Sequence, residues 1–169
     1  PIRKTITALL SYLHLMSADK ESAKTNLYDV LGRICARPWQ TSHATAAAIR
    51  RGLDSTPPPT LMIDEVETIF KLGDDFLRGV LDAGFRRGAT VSVLERPNWV
   101  IRQFGVFGPK LMAGLGVLPD TVEGRSIPII MRPKLPTDSV ERARERTLQV
   151  AAAPLKTRYE EWGKVALAE

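Results

Sequence analysis

Lys24 and Thr25 close the polar stretch "SADKESAKT", residues 17–25. A lysine followed by a hydroxyl is the pair that a phosphate-cradling loop uses. The ammonium reaches the outer phosphates and the hydroxyl goes to Mg2+. In the full pattern G-x-x-x-x-G-K-[ST], two glycines let the backbone take special φ/ψ values and approach the phosphates. Here both glycine places hold alanine, Ala18 and Ala23. About forty residues further on, "LMIDEVE" ends an apolar run in Asp64 and Glu65. An acid at such a strand end can hold Mg2+ through water, and the next glutamate can orient an attacking water. The candidate nucleotide residues are therefore Ser22, Ala23, Lys24, Thr25 and Asp64. Thr25 and Asp64 are the candidate metal residues, and Glu65 is a candidate catalytic residue. The plainer alternatives are a generic strand–helix turn and an acidic strand end in solvent.

For these residues to share one ligand, a strand must precede the loop and a helix must follow it. "YLHLMS" alternates as a strand does, with Leu13 and Leu15 against His14. In "TNLYDVLGRICAR", Leu27, Val30, Leu31 and Ile34 recur at helical spacing. The helix N-terminus then offers free N–H groups and the positive end of its dipole. "ITALLS" reads as a helix before the strand. "PWQTSH" is a short strand, and "TAAAIRRGL" a helix capped by Thr45. The prolines of "STPPPT" make a stiff connector. "TLMI" is the apolar strand ahead of Asp64, and "DDFLRGVLDAG" a helix. "ATVSVLE" and "WVIRQFGVF" form a hairpin turned by "RPN". "KLMAGLG" is an apolar run, "LPDTVEGR" a turn with a short helix, and "SIPIIM" a last strand. From Asp138 the chain becomes helical and charged. Asp138 and Glu141 resemble a capping box, and Pro154 divides the region into two helices. Strands separated by helices predict an α/β layered sheet.

Arginines beside aromatics are a second signal. Arg86 and Arg87 follow a helix, while Arg96, Trp99 and Arg102 surround the hairpin turn. Cations next to a ring suit nucleic-acid backbone contact and base stacking. A solvated turn is the plainer reading. Arg142, Arg144 and Arg146 alternate with glutamates and read as a solvated helix face. Ser17 and Lys20 match S-x-x-K of penicillin-recognising serine enzymes, but no S-D-N or K-T-G accompanies them. Cys35 lies in an apolar helix and reads as an inert core thiol. His14 and His43 stand apart, with no cluster of ligand-type residues around either.

The chain has 169 residues, 44% hydrophobic and 25% charged, which suits one globular domain. Its formal charge of +5 favours a polyanionic partner. A single cysteine excludes an internal disulfide and fits a reducing compartment. No apolar run reaches the length of a membrane span and no secretory signal is visible. The expectation is a cytoplasmic protein with no membrane partner.

Residues 12–135 resemble an uncharacterised family of actinobacterial phage, prophage and plasmid proteins. The resemblance rests on "SADKESAKTNLYDVL", "PTLMIDEVETIF", "LRGVLDAGFRRGATV" and "FGPKLMAGLGVLPDTVEGRSIPIIMR". That family carries a phosphate-loop, AAA-like ATPase domain, often beside primase or helicase modules. Its members usually retain G-K-T where this chain has Ala23-Lys24-Thr25. The resemblance implies an AAA-like phosphate-loop fold with about five mainly parallel strands, flanking helices, a hairpin insertion and a helical C-terminal tail. It implies a domain over residues 1–136 and a helical tail or lid over 137–169. Arg125 falls at the place of an arginine finger, a catalytic group acting on a neighbouring subunit. The implied function is ATP binding, with Mg2+-dependent hydrolysis, in phage or mobile-element DNA replication. The implied partners are nucleic acid and further copies of the chain. A degenerate ATPase-fold module, serving DNA binding or protein assembly, is the rival.

Overall fold

In the computed structural model, residues 11–19, 22–42, 45–72, 75–140 and 143–168 are described. The expected helix "ITALLS" lies outside them save for Ser11, as do His43, Glu141 and Arg142. Five strands form one parallel sheet: β1 (Tyr12–Ser17), β2 (Pro38–Thr41), β3 (Thr60–Ile63), β6 (Lys110–Leu115) and β7 (Ser126–Ile130). Their order across the sheet is β2-β3-β6-β1-β7. A two-stranded antiparallel hairpin, β4 (Thr90–Glu95) with β5 (Val100–Gly105), stands apart from it. The helices are α1 (Lys24–Ile34), α2 (Ala46–Leu53), α3 (Val66–Leu72), α4 (Asp75–Ala83), α5 (Asp120–Glu123) and α6 (Glu145–Ala168). The α/β layering expected from the sequence is present, and every strand pairing in the large sheet is parallel.

Parallel sheets need cover on both faces, and their strands read as nearly continuous apolar runs. All four residues of β3 are buried. Side chains alternate across the sheet. Tyr12, Leu61, Ile63 and Met112 join one core with Ile49 and Leu53 of α2, Val66 and Ile69 of α3, Leu77, Val80 and Leu81 of α4, and Val122 of α5. Leu15, Met62, Leu111 and Ala113 face the other way, against Tyr28, Leu27 and Leu31 of α1. Thr45 caps α2 as expected, its hydroxyl accepting the Ala48 N–H at 3.2 Å. Each of the fully buried aliphatic side chains contributes about 1.5–3 kcal/mol by leaving water.

Three readings are corrected. Helix α3 follows Asp64-Glu65 directly, where the sequence signals suggested no helix before "DDFLRGVLDAG", which begins at Asp74. Asp138 starts no helix: its carboxylate takes Arg132 at 2.7 Å and the Leu135 N–H at 2.8 Å, and α6 begins only at Glu145. Pro154 lies inside one continuous helix and does not divide it. Proline removes the N–H that would bond the carbonyl four residues back. That carbonyl belongs to Val150, a residue 71% exposed, so water can serve it.

Both edges of the large sheet carry a proline. Arg37 and Thr41 exchange backbone bonds with β3, so in the two-residue period Pro38 and Gln40 face outward. Arg125 and Met131 bond β1 in the same way, so Ser126, Pro128 and Ile130 face outward from β7. At Pro38 and Pro128 the missing N–H is therefore on the open side.

Candidate functional site

The loop between β1 and α1 is built around Ala23. Its φ of +59° and ψ of 22° place it in the left-handed region, directly before Lys24. A glycine would adopt this conformation without cost, while alanine incurs about 1–2 kcal/mol. Ala23 also serves as the N-cap residue of α1, with no side-chain cap. Ala23 therefore takes a conformation that a glycine more often supplies. Lys24 Nζ is turned back onto the loop. It donates to Ser17 Oγ in a short contact, and lies 3.3 Å from Ser22 Oγ and 3.4 Å from the Asp19 carbonyl. Ser17 in turn donates to the Asp19 carbonyl at 2.6 Å. Ser17 and Ser22 are buried, whereas Thr25 is exposed.

Asp64 follows β3 at the same edge of the sheet. The register runs Ile63↔Met112 in β6 and His14↔Met112 in β1, so the C-terminal ends of β1 and β3 flank that of β6. The Asp64 N–H continues the ladder to the Thr41 carbonyl at 3.0 Å. In strand alternation Asp64 shares the face of Met62, the face that α1 covers. Tyr28 of α1 donates to the Met62 carbonyl at 2.9 Å and feels the Asp64 charge; burial pushes its hydroxyl up to about 12. Asp64 is half-buried, and its Oδ1 accepts the Glu65 N–H at 3.0 Å. Glu65 is exposed and itself left-handed, with φ +53°. The loop lysine and the strand-end acids are thus brought to one edge, with β6 between them.

Those donors suit a hydrated magnesium ion. Thr25 offers a hydroxyl and Asp64 a carboxylate. Among the described residues no group of three or more His, Cys, Asp or Glu could form a cage. A cation here would take its remaining ligands from water and phosphate oxygens, as Mg2+ does.

Two residues at this edge were missed by sequence reasoning. Ser17 is the last residue of β1 and the anchor of Lys24. Glu67 leans its carboxylate on the end of β6, where Oε2 accepts the Leu115 N–H at 3.2 Å. A Cβ on Gly114 would stand 2.4 Å from that oxygen, so the glycine makes room for the acid. Nothing local in "DEVE" says that a distant strand will be inserted beside it. His14, buried on β1, has an Nε2 with no hydrogen-bond partner. Burial lowers its pKa, and the Glu67 charge pulls the other way. Cys35 is not in the core of the helix as expected: it caps the C-terminal end of α1 in an extended conformation and is half-buried, and burial pushes its thiol up.

Arg125 is at the opposite edge. Its carbonyl accepts the Tyr12 N–H at 2.9 Å, where β1 begins, so it is remote from Lys24 of its own chain. The side chain is 30% exposed, pairs with Asp82 at 3.3 Å, donates to the Thr121 carbonyl and lies 4.5 Å from the Phe85 ring centre. Arg86 shares that ring at 5.1 Å, and Arg87 lies over Phe107. Residues assigned to different roles by sequence thus meet near one aromatic ring. On the hairpin, Arg96 lies 4.8 Å from the Trp99 ring, and the tryptophan is 60% exposed. The turn runs from Arg96 to Trp99, one residue longer than "RPN". Arg102 lies over Phe104 and faces Glu95 at 3.8 Å.

The chain matches no protein-family model and no curated protein. The site therefore rests on its own geometry. Among the described residues no helix is long and apolar enough to cross a membrane.

Proposed function

We propose that this chain is an AAA-like phosphate-loop protein that binds ATP with Mg2+ at the β1–α1 loop and acts in the DNA transactions of a phage or other mobile element. One observation carries the reading: a left-handed residue stands directly before Lys24, and this loop shares a sheet edge and a face with Asp64. In parallel α/β sheets, ligands bind at the carboxyl ends of the strands, where the chain changes direction across the sheet. From β1 the chain crosses to β2 on one side and later reaches β7 on the other, so β1 is that switch point.

On this reading Lys24 leaves Ser17 and Ser22 to meet the outer phosphates, while the N–H groups at the start of α1 face the same charge. Thr25 and Asp64 hold the ion, which when bound neutralises charge on the phosphates. Glu65 orients the water that attacks. Arg125 comes from a neighbouring copy and steadies the charge that develops on the transferred group. The hairpin carries nucleic acid on Trp99, Arg96 and Arg102, with Arg86 and Arg87 contributing positive charge nearer its base.

A second reading has its own support. Lys24 is already satisfied within the loop, Ala23 stands at the glycine place, and Arg125 is tied to Asp82. These favour a module that keeps the fold for DNA binding or assembly without turnover. Calorimetric titration with ATP and Mg2+ tests the first reading. The expected result is weak saturable binding, lost in Lys24→Ala and reduced in Asp64→Asn. A folded wild-type protein that takes up no nucleotide at millimolar ATP overturns it and leaves the second.

A further inference from the structure

Helix α6 carries an apolar stripe that the described residues cover only at its N-terminal end. Leu148, Ala152, Leu155, Tyr159 and Trp162 recur at alternating four- and three-residue steps, which places them along one side of a helix. The stripe starts inside the domain and leaves it. Leu148 is half-buried and Ala152 is 7% exposed, where α6 meets α1 across a hollow lined by Gly32, Arg33, Gln149 and Lys156. An Arg33–Glu145 ion pair at 2.5 Å bridges the two helices at the surface. Exposure then climbs to 43% at Leu155, 57% at Tyr159 and 70% at Trp162. A 370 Å3 hollow lies against this length, lined among the described residues by Leu155, Arg158, Tyr159 and Trp162. An exposed Trp–Tyr–Leu cluster on a rigid element is the composition of an interface anchor.

The charges beside the stripe specify what fits. At 100° per residue, Lys156 borders the stripe on the α1 side and Arg158 on the other. Glu160 and Glu161 point to the back of the helix. Among the described residues neither Lys156 nor Arg158 forms an ion pair. A second α6 laid against this face would set cations against cations, which disfavours self-pairing. We propose that this face docks an amphipathic helix of a partner protein whose apolar stripe is edged with glutamate or aspartate. Leu, Tyr and Trp anchors at helical spacing pack face to face against the apolar stripe of a second helix, and the flanking cations select the partner's charge. The surface is independent of the nucleotide loop.

The test uses the whole chain and two labelled synthetic helices. Both carry leucine at the a and d positions of a heptad; one has glutamate at e and g, its twin has lysine. Fluorescence anisotropy should show the glutamate helix binding at least about tenfold more tightly than its twin. Trp162→Ala and Tyr159→Ala, both at exposed positions, should each weaken it by tenfold or more. Lys156→Glu combined with Arg158→Glu should reverse the preference. Equal affinity for the two helices, or binding untouched by Trp162→Ala, overturns the proposal. So does a wild-type dimer in sedimentation that Trp162→Ala dissolves, since the occupant is then a second copy. Binding of a thymidine oligomer that depends on Tyr159 and Trp162, without peptide binding, also overturns it.

Discussion

Ala23 concentrates the tension in this site. Its left-handed backbone costs about 1–2 kcal/mol, while a glycine there would cost about 0.5–1 kcal/mol in unfolded-chain entropy. Ala23→Gly should therefore be neutral to slightly stabilising in urea denaturation, and Ala23→Val clearly destabilising. Combined with Ala18→Gly it should tighten ATP binding in the same titration. Unchanged affinity in the folded double variant would show that the loop backbone is not limiting. Lys110 supplies a second residue-scale prediction. Its buried Nζ meets three carbonyls, those of Val106 at 2.9 Å, Gly108 at 3.2 Å and Gly84 at 3.3 Å, and among the described residues it forms no ion pair. Burial pushes its pKa down from 10.5 to about 7. Between those values the unfolded chain binds the proton and the folded one does not, so stability rises with pH across that window and is flat below it. Cys35 and Tyr12, whose pKa values burial raises, act in the opposite sense above about pH 9. The difference between wild type and Lys110→Met should isolate the lysine, with wild type gaining a few kcal/mol on the variant from pH 7 to 10.

At the scale of elements, the hairpin and α6 make separable predictions. If the Trp99 ring stacks on a base, Trp99→Ala should weaken single-stranded DNA binding by about 1–3 kcal/mol. Arg96→Ala should weaken binding to all sequences and flatten the salt dependence. Parent-like binding by both variants would make the hairpin purely structural. Pro154→Ala should raise the melting temperature, since a proline inside a helix costs about 3 kcal/mol relative to alanine; an unchanged value would mean that the helix already accommodates the ring without strain. The elements that the sequence made legible had a period of their own. Leu27 and Leu31 announced α1, Thr45 announced the cap of α2, and the strand-like "ATVSVLE" announced β4. Those that it hid depended on distant partners. Val66 and Ile69 are too few to signal α3 until the sheet receives them. Asp138 looked like a cap because its partner Arg132 is not a helix neighbour. In the site, Lys24 and Asp64 were legible because each ends a local motif. Glu67 was not, because only the insertion of β6 between β1 and β3 gives it a partner, and Ser17 was not, because its hydroxyl meets Lys24 only once the loop folds back. Arg125 and Arg86 looked unrelated until the fold put Phe85 between their elements.

At the scale of the whole molecule, the two halves of the proposed chemistry are on opposite edges. Lys24 is at the C-terminal edge of the sheet and Arg125 at the N-terminal edge, so one copy cannot bring them together. If the chain is an ATPase, turnover per subunit should rise with protein concentration. Arg125→Ala should lower it by orders of magnitude with ATP binding nearly intact. Mixing Arg125→Ala with Lys24→Ala should restore part of the activity, one lending its loop and the other its arginine. Absence of turnover at any concentration, with or without DNA, would falsify the enzyme and leave the binding module. The prolines at the sheet's margins limit how such copies can meet. A free edge N–H is the handle by which a stray strand polymerises onto a sheet. At Pro38 and Pro128 that handle is missing, so the large sheet is a poor template for fibre growth. If copies do assemble as proposed, they should join through side chains rather than by extending the sheet, in contacts that salt can undo.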